Sequence, residues 1–376
     1  MHIMGDALTV LGARLGIGID PYNRRSYLVR HGKHPGIPIQ IHAGVELGER
    51  TIIFPLAEEG EVFEFLDQGS TPTSMVLSGI DPESGLHLKL IFRIPFRPRD
   101  IDFSVVPAVF IEMEVARLGT PFRWRTQKSE LIEGKAFLAF SGEGFSFSTY
   151  SNDITASYIS EVSNPLGKPT DFIECKDRLA VLSGTNINNR IECKFSIMPG
   201  DKPVTVSAAW CSYDEPVLNV LGDKCRFKYT ELFGSIDEVA DWARKNAGLV
   251  KQNSKNVDGI ILGHNLGESI SHLMAFSLHA WLMDTWMVVR PDGKPWFTVW
   301  EGGFYFHSTI DVEYTQAPMY LTLWPELLGM QLDEWPLFGK DGSLCLGERG
   351  KDTLYLSHDM GEFSDCSGQL YPHDRT

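Results

Sequence analysis

Residues 86–96 read LHLKLIFRIPF, with Leu86, Leu88, Leu90, Phe92, Ile94 and Phe96 at every second position and His87, Lys89 and Arg93 among the residues between. Side chains alternate between the two faces of a strand, so this spacing predicts a half-buried β-strand with its apolar face on a core. The same period returns at Ile191, Cys193, Phe195 and Ile197, and at Val204, Val206, Ala208 and Trp210. Turn-forming clusters (DPESG, RPRD, SNPLGKP, NINN, MPGDKP) separate such runs. Many short alternating strands punctuated by turns predict an antiparallel β-sandwich or barrel rather than β-α-β units.

The pattern changes near residue 233. Ser235 and Glu238 have the spacing of a capping box, and Gly248 is a plausible C-terminal stop for the helix that follows. Residues 259–288, apolar on most sides, predict a long buried helix. A further helical region begins around residues 308–311 and runs toward Trp335, kinked or divided by Pro318 and Pro325. The expectation is therefore an N-terminal β-sandwich domain over residues 1–225 and a helical domain over 226–376, with the boundary between 215 and 235.

The chain has 376 residues, 43% of them hydrophobic and 22% charged, which is ordinary for a globular protein. Its net charge of −15 argues against nucleic acid or anionic lipid as a main partner, because both select clustered Lys and Arg. No stretch approaches 18 uninterrupted apolar residues, so no transmembrane helix and no membrane partner are expected. Asp6 interrupts a short N-terminal apolar run that no basic leader precedes, which is unlike a signal peptide. Six cysteines (Cys175, Cys193, Cys211, Cys225, Cys345, Cys366) form no C-x-x-C pair, and no N-x-S/T sequon occurs. Reduced cysteines in the cytoplasm are the expectation.

Several motifs carry little chemistry. GARLGIGID (residues 12–20) has the glycines of a dinucleotide loop but neither the preceding strand nor the following helix, so no nucleotide cofactor is expected. His264, His272 and His279 fall about two helical turns apart, too far to share one metal. His358, Asp359, Asp365, Cys366, His373 and Asp374 near the C-terminus fit no common zinc spacing, and no metal is expected.

Residues 296–327, WFTVWEGGFYFHSTIDVEYTQAPMYLTLWPEL, place Glu301 between Trp300 and two glycines in a mostly apolar setting. A carboxylate there is either a turn residue, which Gly302 and Gly303 allow, or a group with work to do. Thr309 and Asp311 follow eight and ten residues later, and then LTLWPEL. This arrangement resembles the catalytic region of glycoside hydrolase families 52 and 116, which are retaining β-glycosidases. VVPAVFIEMEV (105–115) and GVELGERTIIFPL (44–56) resemble sandwich segments of family 52, and SHDMG (357–361) resembles the His-Asp pair that holds sugar hydroxyls. The likeness is patchy but collinear over roughly residues 40–361.

The resemblance implies Glu301 as the catalytic nucleophile and His358 and Asp359 as sugar ligands. Thr309 and Asp311 would support the loop, and Trp300 and Tyr305 would shape the pocket. It implies a β-xylosidase or β-glucosidase cleaving non-reducing-end β-linked sugars on part of an (α/α)6 barrel, with no cofactor. The family's acid/base aspartate lies far downstream of the nucleophile, whereas this sequence ends 75 residues after Glu301. Asp365 and Asp374 are the only late aspartates that could substitute, and the acid/base is left unassigned. Three readings stay open: a piece of a longer enzyme, a shortened enzyme completed by a second copy or a complementing C-terminal fragment, and a non-catalytic carbohydrate-binding pseudoenzyme.

Overall fold

A computed structural model describes residues 5–32, 34, 36–118, 131–163, 169–214, 216–263 and 267–369. Strand Leu86–Arg93 lies between strands Ser74–Asp81 and Ala108–Arg117, antiparallel to both. Its alternating residues Leu86, Leu88, Leu90 and Phe92, together with Ile94 and Phe96 beyond it, are all at most 1% exposed. Among the described residues it belongs to an eight-stranded antiparallel sheet facing a second, nine-stranded one. Phe140 of the second sheet meets Trp210 of the first edge to face at 5.3 Å, one contact of a core continuous between the two. The antiparallel N-terminal β-structure is thus the expected kind.

Strand Val204–Cys211 is buried on both faces from Val206 onward, so a period-two reading captures half of it. Its outer face is covered by a helix. A single turn, α1 (Ile101–Ser104), is capped by Asp100, and the long helix α2 (Ile236–Leu262) begins at Ser235. The Ser235 hydroxyl accepts from the Glu238 amide at 3.3 Å, and the Glu238 carboxylate reaches back to the Gly234 amide at 2.8 Å. Helix α2 continues through Gly248 instead of stopping there. A mid-helix glycine costs about 1 kcal/mol relative to alanine. Burial of Val239, Ala240, Ala243, Val250 and Val257 outweighs that. Asn253 on its inner side donates to the Phe96 carbonyl at 2.7 Å.

The single helix expected over 259–288 is three things. Helix α2 ends at Leu262, helix α3 spans Glu268–Asp284 after Gly267 at φ +82°, and the chain then becomes strand Thr285–Val289. β-Branched and aromatic residues in TWMVV favour the strand, and pairing with Pro295–Val299 and Asp223–Phe227 fixes it. Among the described residues these strands belong to a five-stranded sheet that runs from Leu218–Val220 and Asp223–Phe227 at the expected boundary into the region expected to be helical. Farther on, helix α4 (Ile310–Leu323) carries Pro318 inside it, whereas Pro325 opens helix α5 (Pro325–Glu334) after Trp324 leaves helical geometry. His272 packs on Phe276, and His279 bonds the Asp6 carboxylate at 2.9 Å; His264, His373 and Asp374 lie outside the described residues.

Helix α4 is apolar around most of its circumference, a composition suited to full burial. Nonetheless Ile310, Tyr314 and Leu321 are exposed, as are Leu332 on α5 and Leu337, Leu344 and Leu354 beyond it. No helix among the described residues is long and apolar enough to cross a membrane.

Deep in the sandwich, Arg30 pairs with Asp214 and lies 3.8 Å from Asp177. Tyr158 and Trp210 donate to Asp177 at 2.6 and 2.7 Å, and Tyr229 donates to Asp214 at 3.1 Å. Burial pushes the Asp177 carboxyl up to about 6, against the pull of Arg30. Replacing Arg30 by methionine leaves two buried carboxylates without a cation and is expected to lower stability by about 3–5 kcal/mol in urea unfolding.

Candidate active site

Strand Pro295–Val299 delivers Trp300 and Glu301 to a tight hairpin. Glu301 has φ −77° and ψ 74°, and the Gly302 amide donates to the Trp300 carbonyl at 3.0 Å. Glu301 thus sits at the apex of an inverse γ-turn, which presents its side chain outward. The chain returns through Phe306 and His307: the Glu301 amide donates to the Phe306 carbonyl at 2.8 Å, and Trp300 bridges His307. Thr309, the N-cap of α4, donates its hydroxyl to Glu301 Oε2 at 2.8 Å. The carboxylate is half-buried with one oxygen oriented.

Beneath this hairpin is an aromatic and cationic base. Trp300 is 2% exposed and packs on Trp286 and Tyr305 with ring centroids 5.2 and 5.1 Å away. Arg14, fully buried, places its guanidinium 4.4 Å from the Trp300 ring and 5.2 Å from Trp286. It donates to the Met283, Arg30 and Gly32 carbonyls. Burial lowers its pKa to about 10, opposed by Asp284 and Tyr305, so it stays charged at neutral pH. Gly12 bonds Thr285 and Met287 and has φ +61°; a Cβ there would lie 2.3 Å from the Met287 side chain. GARLGIGID therefore holds the site hairpin from below.

His307 is fully buried. The Thr298 hydroxyl lies 2.9 Å from Nδ1, and Nε2 lies 2.7 Å from the Phe363 carbonyl. A neutral imidazole with the proton on Nε2 satisfies both partners, and the Trp300 indole N–H then donates to the same carbonyl at 3.1 Å. Burial drives the imidazole down to about 4.

The segment around SHDMG reaches this hairpin through backbone pairing. Residues 358–363 run antiparallel to 305–310: Ile310 donates to His358, His307 to Gly361, Met360 to His307 and Phe363 to Tyr305. His358 Nδ1 lies 3.1 Å from Asp359 Oδ2, and the His358 ring meets Phe306 edge to face at 5.7 Å. Asp359 is 1% exposed and accepts from the Gly361 amide at 3.0 Å. The structure thus brings Glu301, Thr309, His358 and Asp359 around one short β-ribbon. Asp311 stands apart, exposed in the first turn of α4, while Thr309 holds the loop. Trp300 lies under the hairpin, and the Tyr305 hydroxyl accepts from the His34 amide at 3.3 Å.

Sequence reasoning passed over Arg14, His34, His307 and Glu362. His34 bonds Asp284 at 3.0 Å, and Asp284 accepts the Trp300 amide through its carbonyl. Glu362 is 6% exposed and bridges Phe306. Its carboxyl is pushed up to about 7 by burial and by the Asp359 charge. An arginine inside an apolar run was the one signal visible beforehand. Among the described residues, no group of three or more His, Cys, Asp and Glu could hold a metal ion.

Residues 178–333 match the model of glycosyl hydrolase family 52. The matched stretch holds Glu301, Thr309 and Asp311 but ends before His358 and Asp359. A solved structure described as a putative kojibiose phosphorylase from human microbiome aligns over 74% of this chain and 39% of its own, at 10% identity and a TM-score of 0.31. The chain thus spans well under half the length of that protein. The comparison with curated proteins gives no match.

Two outcomes follow from this base. A histidine whose folded pKa lies below its unfolded 6.5 contributes stability that is fully present above pH 6.5 and lost as pH falls toward 4. The contribution of His307 is roughly 3 kcal/mol, so unfolding free energy should drop over that window less steeply in His307→Gln than in the parent. Arg14→Lys loses the fork that serves three carbonyls and should lower stability by roughly 3 kcal/mol, with altered tryptophan fluorescence from the Trp286–Trp300 pair.

Proposed function

We propose that this chain is the sandwich and nucleophile-bearing part of a retaining exo-β-glycosidase acting on non-reducing-end β-linked xylosides or glucosides. The observation that carries this reading is the placement of Glu301. Its carboxylate is oriented by Thr309 on a rigid, aromatic-backed hairpin, in a stretch similar to glycosyl hydrolase family 52 and zipped to His358 and Asp359.

In this reading Glu301 Oε1 attacks the anomeric carbon while Thr309 holds Oε2, giving a glycosyl ester that water later cleaves. His358 and Asp359, already bonded to each other, bracket adjacent sugar hydroxyls by charge-assisted hydrogen bonds. Buried Trp286, Trp300 and Phe363 close one side of the hairpin to water, which strengthens the electrostatic stabilisation of an oxocarbenium-like state there. Helices α3 to α5 would be part of an (α/α)6 barrel. Their exposed apolar face supports a covering partner, either a second copy or a complementing C-terminal segment. Cys175, Cys193, Cys211, Cys225 and Cys366 are free thiols, which favours a cytoplasmic setting.

Mechanism-based labelling tests the reading. A 2-deoxy-2-fluoro-β-xylosyl or β-glucosyl fluoride needs little acid assistance, so it should add one sugar to the peptide carrying Glu301, stoichiometrically, and Glu301→Gln should abolish the adduct. A label on Asp359 or Asp365 would assign a different nucleophile. Saturable sugar binding without any label would instead favour a carbohydrate-binding pseudoenzyme.

A further inference from the structure

Away from the hairpin, the sandwich carries a cavity of about 410 Å³ where three parts of the chain meet. The tight turn between strands Ser146–Tyr150 and Asp153–Ser163 supplies Tyr150, Asn152 and Asp153. Strand Pro169–Ser183 supplies Arg178 and Val181, and the first turns of α2 supply Asp237, Asp241 and Arg244. The polar groups are tied to one another. Asp153, 4% exposed, accepts from the Val181 amide at 3.0 Å through one oxygen and pairs with Arg244 and Arg178 through the other. Arg178 lies 3.1 Å from Asp237, and Arg244 lies 2.7 Å from Asp241. Asn152 accepts from the Asn186 amide at 3.0 Å, which fixes the plane of its own side-chain amide.

Anchoring of α2 to the sheet accounts for the ion pairs but not for three further features. The space they enclose has the size of a small-molecule site, about 300–1,000 Å³. The Tyr150 ring has the Arg178 guanidinium 3.9 Å from its centroid, yet it is 53% exposed, so an aromatic surface is held in place and left open. Arg178 itself is only 8% exposed, and its Nε–H has no acceptor, a buried donor whose cost a ligand oxygen would remove.

We infer that this cavity is a second carbohydrate-binding site, separate from the Glu301 hairpin, that takes a neutral pyranose ring of an oligosaccharide. The charge pattern selects the ligand class. An anion would meet three carboxylates and a cation two guanidiniums, whereas neutral hydroxyls find donors and acceptors in turn. A sugar ring also has an apolar face of C–H groups that suits Tyr150, and its adjacent hydroxyls suit planar Asp, Asn and Arg groups. Arg178 and Asp153 are buried and Asn152 is held by Asn186, so these partners are oriented before the ligand arrives and lose little side-chain entropy on binding. None of these residues belongs to the hairpin or to the ribbon beside it, so sugar held here is independent of turnover at Glu301.

Xylotriose and cellotriose, titrated into the Glu301→Gln chain, test the site without turnover. Carbon-13 methyl labelling of valine gives a reporter inside the cavity, with the Val181 resonances identified as those missing in Val181→Ile. These resonances should shift saturably with at least one of the two sugars. The affinity they report should fall about tenfold or more in Tyr150→Ala, with an unchanged circular dichroism spectrum, and stay within about threefold in Tyr150→Phe, which keeps the ring. Val181 resonances unmoved by both sugars, or equal affinity in Tyr150→Ala, overturn the assignment. A shift saturated by inorganic phosphate or putrescine in place of sugar also overturns it and assigns an ion site. Covalent labelling of Glu301 is read on a different peptide, so failure of this site leaves the nucleophile reading standing, and the reverse holds equally.

Discussion

The Arg14 guanidinium is fully buried yet charged, and it lies where three parts of the chain meet. Its hydrogen bonds go to carbonyls at the end of helix α3 and in the segment 30–32, and its flat face lies on Trp300. A buried cation is costly, so carbonyl dipoles, two indole rings and the Asp284 charge must supply what water would have supplied. The Arg30 carbonyl that Arg14 holds belongs to the residue whose side chain neutralises Asp214 in the sandwich core. The two arginines therefore connect the centre of the β-structure to the hairpin that carries Glu301. Because both are desolvated, neither can shift without stranding a charge.

On that base the site is built almost wholly from backbone pairing. Strand Thr285–Val289 accepts the N-terminal loop at Gly12, the hairpin follows from strand Pro295–Val299, and residues 358–363 add along its far side. Side chains contribute at few points: Thr309 to Glu301, His358 to Asp359, and His307 to Thr298 and Phe363. Backbone hydrogen bonds fix register, and register decides which side chains share a face. The relative positions of Glu301, Asp359 and Glu362 are therefore set by pairing, while the surrounding aromatic rings exclude water from one side.

Much of the β-structure was legible beforehand. The alternation in residues 86–96 is a local property, and packing only had to agree with it. Strand Val204–Cys211 showed half of its burial, because helix α2 on its outer face leaves no trace in its own sequence. The helix capped by Ser235 was legible at its start, where caps are chemical, and misread at Gly248, where a modest propensity penalty yields to tertiary burial. Strand Thr285–Val289 was hidden, since a short apolar run fits a buried helix and a buried strand equally and only its partners arbitrate.

By itself the sequence determined the antiparallel alternation, the start of α2, the division at Pro325 and the prominence of Glu301 and SHDMG. Each is written in residues close together along the chain. Tertiary structure alone decided that SHDMG lies beside Glu301 and that Arg14 and Gly12 hold the hairpin from below. It also decided that Thr309 rather than Asp311 touches the carboxylate, and that Glu362 is buried opposite Phe306. Those facts depend on strand register and on burial, which come from contacts between residues tens or hundreds of positions apart. Burial also changes the chemistry of the groups it encloses: a glutamate side chain is an ordinary anion in water, whereas burial beside the Asp359 charge pushes the Glu362 carboxyl up to about 7.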